Sequence, residues 1–219
     1  MNEIIHIFAF LYGKPRLTLY MDPACPELNY SVHMGNRSEF KEYYQDSEEE
    51  MPHKMPRPRG RPVVTSAFVG ASHGANKVTR RSHSGYIIFV NRAPVKWMSK
   101  RQQTVETSAL SSDFIALKQC LEDVEHLRFK LRMFGIPMSE DQPSTLILRD
   151  NESVVRNTSN VESSLNKKHS DIAHHFARWN VEAGVCTISW IPTGDNIADV
   201  MTNRLAQATR DYLFGSWTY

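Results

Sequence analysis

Residues 79–118 read TRRSHSGYIIFVNRAPVKWMSKRQQTVETSALSSDFIALK, and their patterning decides the fold. GYIIFV and APVKWMS are apolar, β-rich runs separated by a turn spanning Asn91 to Pro94, the composition of a hairpin. Immediately upstream, PVVTSAFVG (62–70) supplies another strand, so three strands come first. From Ser111 to Phe134, Phe114, Leu117, Leu121, Val124 and Leu131 recur at helical spacing, with Cys120, Leu127 and Phe134 beside them. Gly135 and Pro137 supply the stop, so the spacing predicts one long amphipathic helix. Further on, STLILR (144–149) reads as a fourth strand running into Asp150 and a short helix. Residues 171–183 read as a helix, CTISWIP (186–192) as a fifth strand, and 196–212 as a last helix. The order βββαβα, then α, β, α, is that of an α/β domain.

The chain has 219 residues, 41% apolar and 23% charged, enough for one core or one core plus an appendage, and excludes a collagen, a coiled coil or a disordered tail. With a formal net charge of +2, any nucleic-acid surface must come from local clustering of charge. Cys25, Cys120 and Cys186 are an odd number at wide spacing, which argues against a disulfide framework and structural zinc and for an intracellular, reducing compartment. The apolar run Ile4 to Tyr12 is too short to span a bilayer, so no membrane partner is expected. DSEEEMPHKMPRPRGRP (46–62) is acidic and then proline-rich, an extended linker. It divides a sparse segment, 1–62, from a domain at 63–219 that ends in a helical, aromatic extension.

Three aspartates stand where chemistry gathers. Asp150 ends an apolar strand at the open edge of an α/β sheet, Asp199 opens the last helix, and Asp113 lies near the start of the long helix. Each position equally suits an aspartate that caps orphan helix amides. Basic residues cluster at Lys77, Arg80 and Arg81, at Lys100 and Arg101, and at Lys167, Lys168 and His169, where they could hold phosphates or simply solvate loops. His169, His174 and His175 lack cysteine or carboxylate partners at zinc spacing. Trp97, Trp179, Trp190, Trp217, Met133 and Phe134 read as packing residues.

The 79–118 stretch, followed by RDNESVVRNT (149–158), SSLNKKHSDIAHHFAR (163–178) and NIADVMTNRL (196–205), resembles the ribonuclease H domain of copia-type retrotransposon polyproteins. MDPACPEL (21–28) and PRPRG (56–60) resemble the connection that joins reverse transcriptase to that domain, so the chain is similar to the C-terminal end of such a polyprotein. The resemblance implies a ribonuclease H-like fold: a mixed five-stranded sheet in the order βββαβαβα with helices on both faces. It implies four carboxylates holding two Mg²⁺ ions that hydrolyse the RNA strand of an RNA/DNA hybrid. Arg80, Arg81, Ser84, Lys100, Gln102, Lys168, His169, His175 and Arg178 stand at family-like positions, and with Arg101 and Lys167 most of these form the expected nucleic-acid-binding set.

The resemblance breaks at the metal ligands. AFVGASHGANKVTRR (67–81) puts Gly70 where the first catalytic aspartate of the family belongs and Ser72 where the second aspartate of that motif stands. Asp113 in SSDFIAL matches the helix glutamate but is about 1.5 Å shorter in reach. Only Asp150 and Asp199 match outright. Asn203 stands in place of a lysine and Trp179 in place of an acid. Three readings follow: a ribonuclease H that lost its catalysis and kept binding to RNA/DNA hybrid or RNA, a structural subunit of a larger protein or ribonucleoprotein assembly, and a still-active enzyme. If active, Mg²⁺ is the cofactor.

Overall fold

A computed structural model describes residues 12–13, 18–26, 42–160 and 171–215. Five strands form one sheet: β1 (Thr65–Ser72), β2 (His83–Val90), β3 (Ala93–Arg101), β4 (Thr145–Arg149) and β5 (Cys186–Trp190). Their spatial order is β3-β2-β1-β4-β5. β1 to β3 pair antiparallel, whereas β4 runs parallel to β1 and β5 parallel to β4. The helices are α1 (Ala109–Met133), α2 (Glu152–Ser159), α3 (Asp171–Glu182), α4 (Asp199–Thr202) and α5 (Gln207–Phe214). This is the mixed five-stranded, ribonuclease H-like arrangement that the sequence motifs imply.

Strand residues alternate between two apolar faces. Ala67, Val69, Tyr86, Ile88, Ile147 and Ile188 pack against Phe114, Leu117 and Leu121 of α1, and α2 and α3 join the same core. Phe68, Ile87, Phe89, Leu146 and Leu148 face the other way, onto Ala198, Met201 and Phe214 around α4 and α5. Each fully buried aliphatic or aromatic side chain contributes about 1.5–3 kcal/mol. That alternation also sorts the polar residues: Gly70 falls on the α4 side and Arg149 on the α1 side.

Helix α1 starts with Ser108 as N-cap, its Oγ accepting from the Ser111 N–H, and ends as the sequence predicts. Gly135 (φ +75°) follows the C-cap Phe134, and N–H groups of Gly135 and Ile136 bond the Arg132 and Leu131 carbonyls. Because the helix stops there, Met133 and Phe134 leave the buried stripe and are exposed, contrary to the packing expectation. Trp97 is likewise half-exposed, being on β3, the edge strand.

Two boundaries differ from expectation for local reasons. The hairpin turns at Asn91 and Arg92 alone, Asn91 holding φ +55°, and Pro94 sits inside β3, which an edge strand tolerates. The last helix divides into α4 and α5 because the Met201 carbonyl accepts a 2.6 Å bond from Ser99 Oγ, and Asn203 turns extended. α4 comes this close to the sheet only because residue 85 is glycine: a Cβ there would stand 2.6 Å from Met201 Cβ and 2.7 Å from Thr202 Cγ2.

The proline-rich segment is extended but not free. Glu49 accepts from Arg128 Nε (2.6 Å) and Nη2 (3.0 Å) and from Arg132 Nη2 (2.6 Å), and the Arg59 N–H bonds the Gly135 carbonyl at 2.6 Å. Burial alone would raise the Glu49 carboxyl, but hydrogen bonds and charge from Arg128 and Arg132 hold it below its usual value. Tyr44 reaches His175 across the domain at 2.7 Å. Cys120 and Cys186 are buried free thiols, Cys25 an exposed one. Among the described residues no helix is long and apolar enough to cross a membrane.

Candidate functional site

The C-terminal ends of β1 and β4 and the start of α4 meet at one point. Asn196, fully buried, organises it: its Nδ2 donates to the Val69 carbonyl and to Asp150 Oδ1, both at 3.3 Å, and its Oδ1 accepts from the Ala198 N–H at 3.1 Å. These bonds fix where α4 begins and bring Asp199 toward Asp150. Burial, then the neighbouring Asp150 charge, raises the Asp199 carboxyl to about 6, and the Asn203 side-chain amide, donating at 3.3 Å, offsets part of that rise. The Trp190 indole N–H holds the Asp150 carbonyl at 3.0 Å, so the loop carrying the first acid is also fixed.

Gly70 belongs to this cluster by position. A Cβ added to it would lie 3.4 Å from Asn196 Nδ2, 3.7 Å from Ala198 Cβ and 3.9 Å from Asp199 Oδ1. Residue 70 therefore stands beside Asp199 and offers it no oxygen. Ser72, two residues on and partly buried, shares that face of β1.

Asp113 is engaged by two neighbours. Its Oδ1 lies 2.9 Å from Arg149 Nη2, its Oδ2 accepts from Asn151 Nδ2, and its own carbonyl accepts from Arg149 Nη1 at 3.4 Å. Arg149 is wholly buried and Asp113 nearly so. Asp113 is thus the counter-charge of a buried guanidinium through one oxygen and is bonded through the other to Asn151, the neighbour of Asp150. Among the described residues no three His, Cys, Asp or Glu side chains gather closely enough to hold a metal ion.

Two divalent ions would need a bridging carboxylate on the β1 position and open oxygens from the helix acid. Gly70 lacks the first and the Arg149 pair occupies the second, so the residues present do not fit a two-Mg²⁺ centre.

Several family-like polar positions serve the scaffold. Ser82 Oγ bonds Ser112 Oγ at 2.8 Å, His73 Nδ1 bonds Ser112 Oγ at 2.8 Å, and Gln102 Nε2 donates to Ser84 Oγ (2.9 Å) and to the Ser112 carbonyl (2.8 Å). This network ties the start of α1 to β2 and β3. Arg178 is buried, donating through Nε to the Asn157 carbonyl (2.9 Å) and through Nη2 to that of Asn160 (2.6 Å). It closes the end of α2 and is not the exposed phosphate contact that the motif suggested. His174 shares the Asn157 carbonyl, packs edge-on against Phe114, and is pushed down to about 4 by burial and then by Arg178.

The remaining basic residues sort by location. Arg80, exposed at φ +57°, and Arg81 leave the β1–β2 loop, and Lys100 and Arg101 end β3 close by. His175 is exposed and engaged with Tyr44. Lys167, Lys168 and His169 lie outside the described residues, as do 216–219 of the aromatic extension. Sequence reasoning missed Arg149, Asn196, His83 and Arg204. Only Arg149, a charge closing an apolar strand, carried a visible hint.

No family model matches the sequence. Over 149 residues, 68% of this chain and 10% of the relative, it is 24% identical to the retrovirus-related Pol polyprotein from transposon RE1 of Arabidopsis thaliana. Over 143 residues, 65% and 10%, it is 23% identical to that from transposon TNT 1-94 of Nicotiana tabacum. The chain thus spans about a tenth of the length of these relatives. Among solved structures it is similar to LC11-RNase H1 in complex with RNA/DNA hybrid, at 18% identity over 63% of this chain and 93% of that one, with a TM-score of 0.49.

Proposed function

We propose that this chain, a ribonuclease H-like domain related to retrotransposon Pol polyproteins, binds RNA/DNA hybrid or RNA but does not hydrolyse it. The observation that carries this reading is that residue 70, whose Cβ would stand 3.9 Å from Asp199 Oδ1, is glycine and brings no oxygen to that carboxylate. In-line hydrolysis of a phosphodiester by two metal ions requires anionic ligands between cations about 3.5–4 Å apart, and glycine supplies none. Asp113 cannot compensate without abandoning Arg149, whose guanidinium would then be buried and unpaired at a cost of about 3–5 kcal/mol. The exposed basic residues around the β1–β2 loop and the end of β3 remain available for a backbone polyanion, read by shape and charge.

The test is direct. Purified protein is incubated with an end-labelled RNA/DNA hybrid in Mg²⁺ and in Mn²⁺, and binding is followed by anisotropy at several salt concentrations. Expected are salt-sensitive binding and intact RNA. Cleavage that disappears in Asp150→Asn would overturn the loss of catalysis, and absence of any salt-sensitive binding would overturn the binding role.

A further inference from the structure

The second half of α1 carries Glu122, Glu125, His126 and Phe129, and because the last three follow Glu122 by three, four and seven residues, all share one helix face. That face is met by Trp179 near the end of α3 and by Glu49 and Glu50 of the docked acidic segment. Between them lies a cavity of about 420 Å³, within the range of about 300–1,000 Å³ usual for small-ligand pockets. It sits at the end of the sheet opposite the acid pair: Val185, which lines it, leads into β5 where β4 also begins, whereas Asp150 follows the far end of β4.

The acids of this cavity are unequally matched. Glu49 is held by Arg128 and Arg132, and Glu122 by Lys118. Among the described residues Glu50 and Glu125 have no basic partner. Burial pushes the Glu125 carboxyl up, the Asn180 side chain offsets part of that rise, and the charges of Glu122, Glu50 and Glu49 add to it. Asn180 is itself wholly buried and spends its amide on the Phe176 carbonyl (3.1 Å) and on Glu125, while its Oδ1 has no partner among the described residues. A half-buried carboxylate and a buried acceptor, both lacking a donor, call for a ligand that brings positive charge and N–H groups. Phe129 and Trp179, each partly buried, add aromatic faces to the same cavity. Trp179 stands in place of the family's acid, so this wall is particular to the present chain.

We propose that this cavity takes the side chain of an arginine presented by an extended segment of a partner protein. A guanidinium is planar, stacks on an aromatic face and donates to two acceptors at once, whereas an ammonium is a point charge that matches neither feature as well. Charge complementarity selects the class of partner: four glutamates around one cavity repel a phosphate backbone and attract a basic peptide. The site therefore goes beyond the nucleic-acid-binding role and does not depend on it.

The experiment uses the full chain, isotope-labelled for NMR, and follows its indole N–H signals, that of Trp179 being identified by its absence in Trp179→Phe. The probe is the acetylated and amidated peptide Gly-Ser-Gly-Arg-Gly-Ser-Gly, titrated to about 10 mM at constant ionic strength. It is compared with the same peptide carrying lysine, or the neutral isostere citrulline, at its centre. Expected for the arginine peptide is a saturable shift of the Trp179 signal with a dissociation constant on the order of 1 mM, a weaker response to lysine and none to citrulline. Glu125→Gln weakens the arginine peptide about tenfold. Glu48→Gln removes an exposed acid of the same segment that does not line the cavity, and leaves binding unchanged. No saturable shift of Trp179, equal shifts with arginine and citrulline, or equal losses in Glu125→Gln and Glu48→Gln would each overturn the site. A shift with spermidine and none with the arginine peptide overturns it in favour of a free polyamine. The comparison of arginine with citrulline on wild type decides the matter alone if Glu125→Gln does not fold.

Discussion

Gly70→Asp rebuilds a third carboxylate opposite Asp150 and Asp199, and the structure sets the size of its effect. The new Cβ fits, its nearest neighbour being Asn196 Nδ2 at 3.4 Å. A carboxylate on that Cβ brings an oxygen to roughly 4 Å from Asp199, an interaction of about 4 kcal/mol at an effective dielectric of ~20. Asp199 is about half exposed, so screening reduces the repulsion to about 2 kcal/mol at neutral pH. Without metal the variant therefore melts about 4–8 °C below wild type, given the usual size scaling. With three carboxylates facing one point, it binds one divalent ion: at 10 mM Mn²⁺ and an affinity of about 0.1 mM, binding returns about 2.7 kcal/mol and restores the melting temperature. The assay is thermal unfolding in EDTA, in Mn²⁺ and in NaCl of equal ionic strength. Wild type shifts by less than about 1 °C between EDTA and Mn²⁺, because two half-exposed acids without a third make a weak site. A saturable Mn²⁺ shift in wild type, or none in a folded Gly70→Asp protein, would falsify the reasoning.

Arg149→Met strands the Asp113 carboxylate in the interior and is expected to cost about 3–5 kcal/mol in urea unfolding, whereas Arg149→Met/Asp113→Leu recovers most of it. His174, about 4 when folded against about 6.5 unfolded, contributes stability that is complete above pH 6.5 and falls by about 3 kcal/mol as pH drops to 4. Asp199, raised to about 6, works in the opposite sense, its penalty appearing as pH rises from about 4 to 6, so His174→Gln should reverse the slope of stability between pH 4 and 6.5 in denaturant melts. Gly85→Ala drives a methyl into Met201 and Thr202 and is expected to cost about 1–3 kcal/mol. Because α4 carries Asp199, the same change made in Gly70→Asp should abolish its Mn²⁺ shift.

The sheet and α1 could be read from local patterning because alternating and three-four apolar spacing are short-range properties. Each strand's inward residues, such as Ala67, Val69 and Ile147, ended in one of two coherent cores. The site was harder because what a carboxylate does depends on residues distant in sequence. Asp113 carries the family-like helix position, yet its role is decided by Arg149, 36 residues away on a strand face that only register reveals. Arg178 has the look of a phosphate ligand in sequence, and its guanidinium instead closes two carbonyls at the end of α2. Gly70 was the converse case: the motif singled the position out, and the fold sets a Cβ there 3.9 Å from Asp199 Oδ1.

The segment docked by Tyr44 and Glu49 also bears on the order in which the molecule forms. Its partners are synthesised long after it: Arg128 lies 79 residues and His175 131 residues downstream. Contacts so distant along the chain close late. Until α1 and α3 exist, this stretch has nowhere to dock, and a nascent helix there would have to be undone. Prolines at 52, 56, 58 and 62 prevent that by fixing φ and withholding amide donors. The composition that marks the segment as a linker thus favours an extended chain, which the two arginines of α1 pin through Glu49.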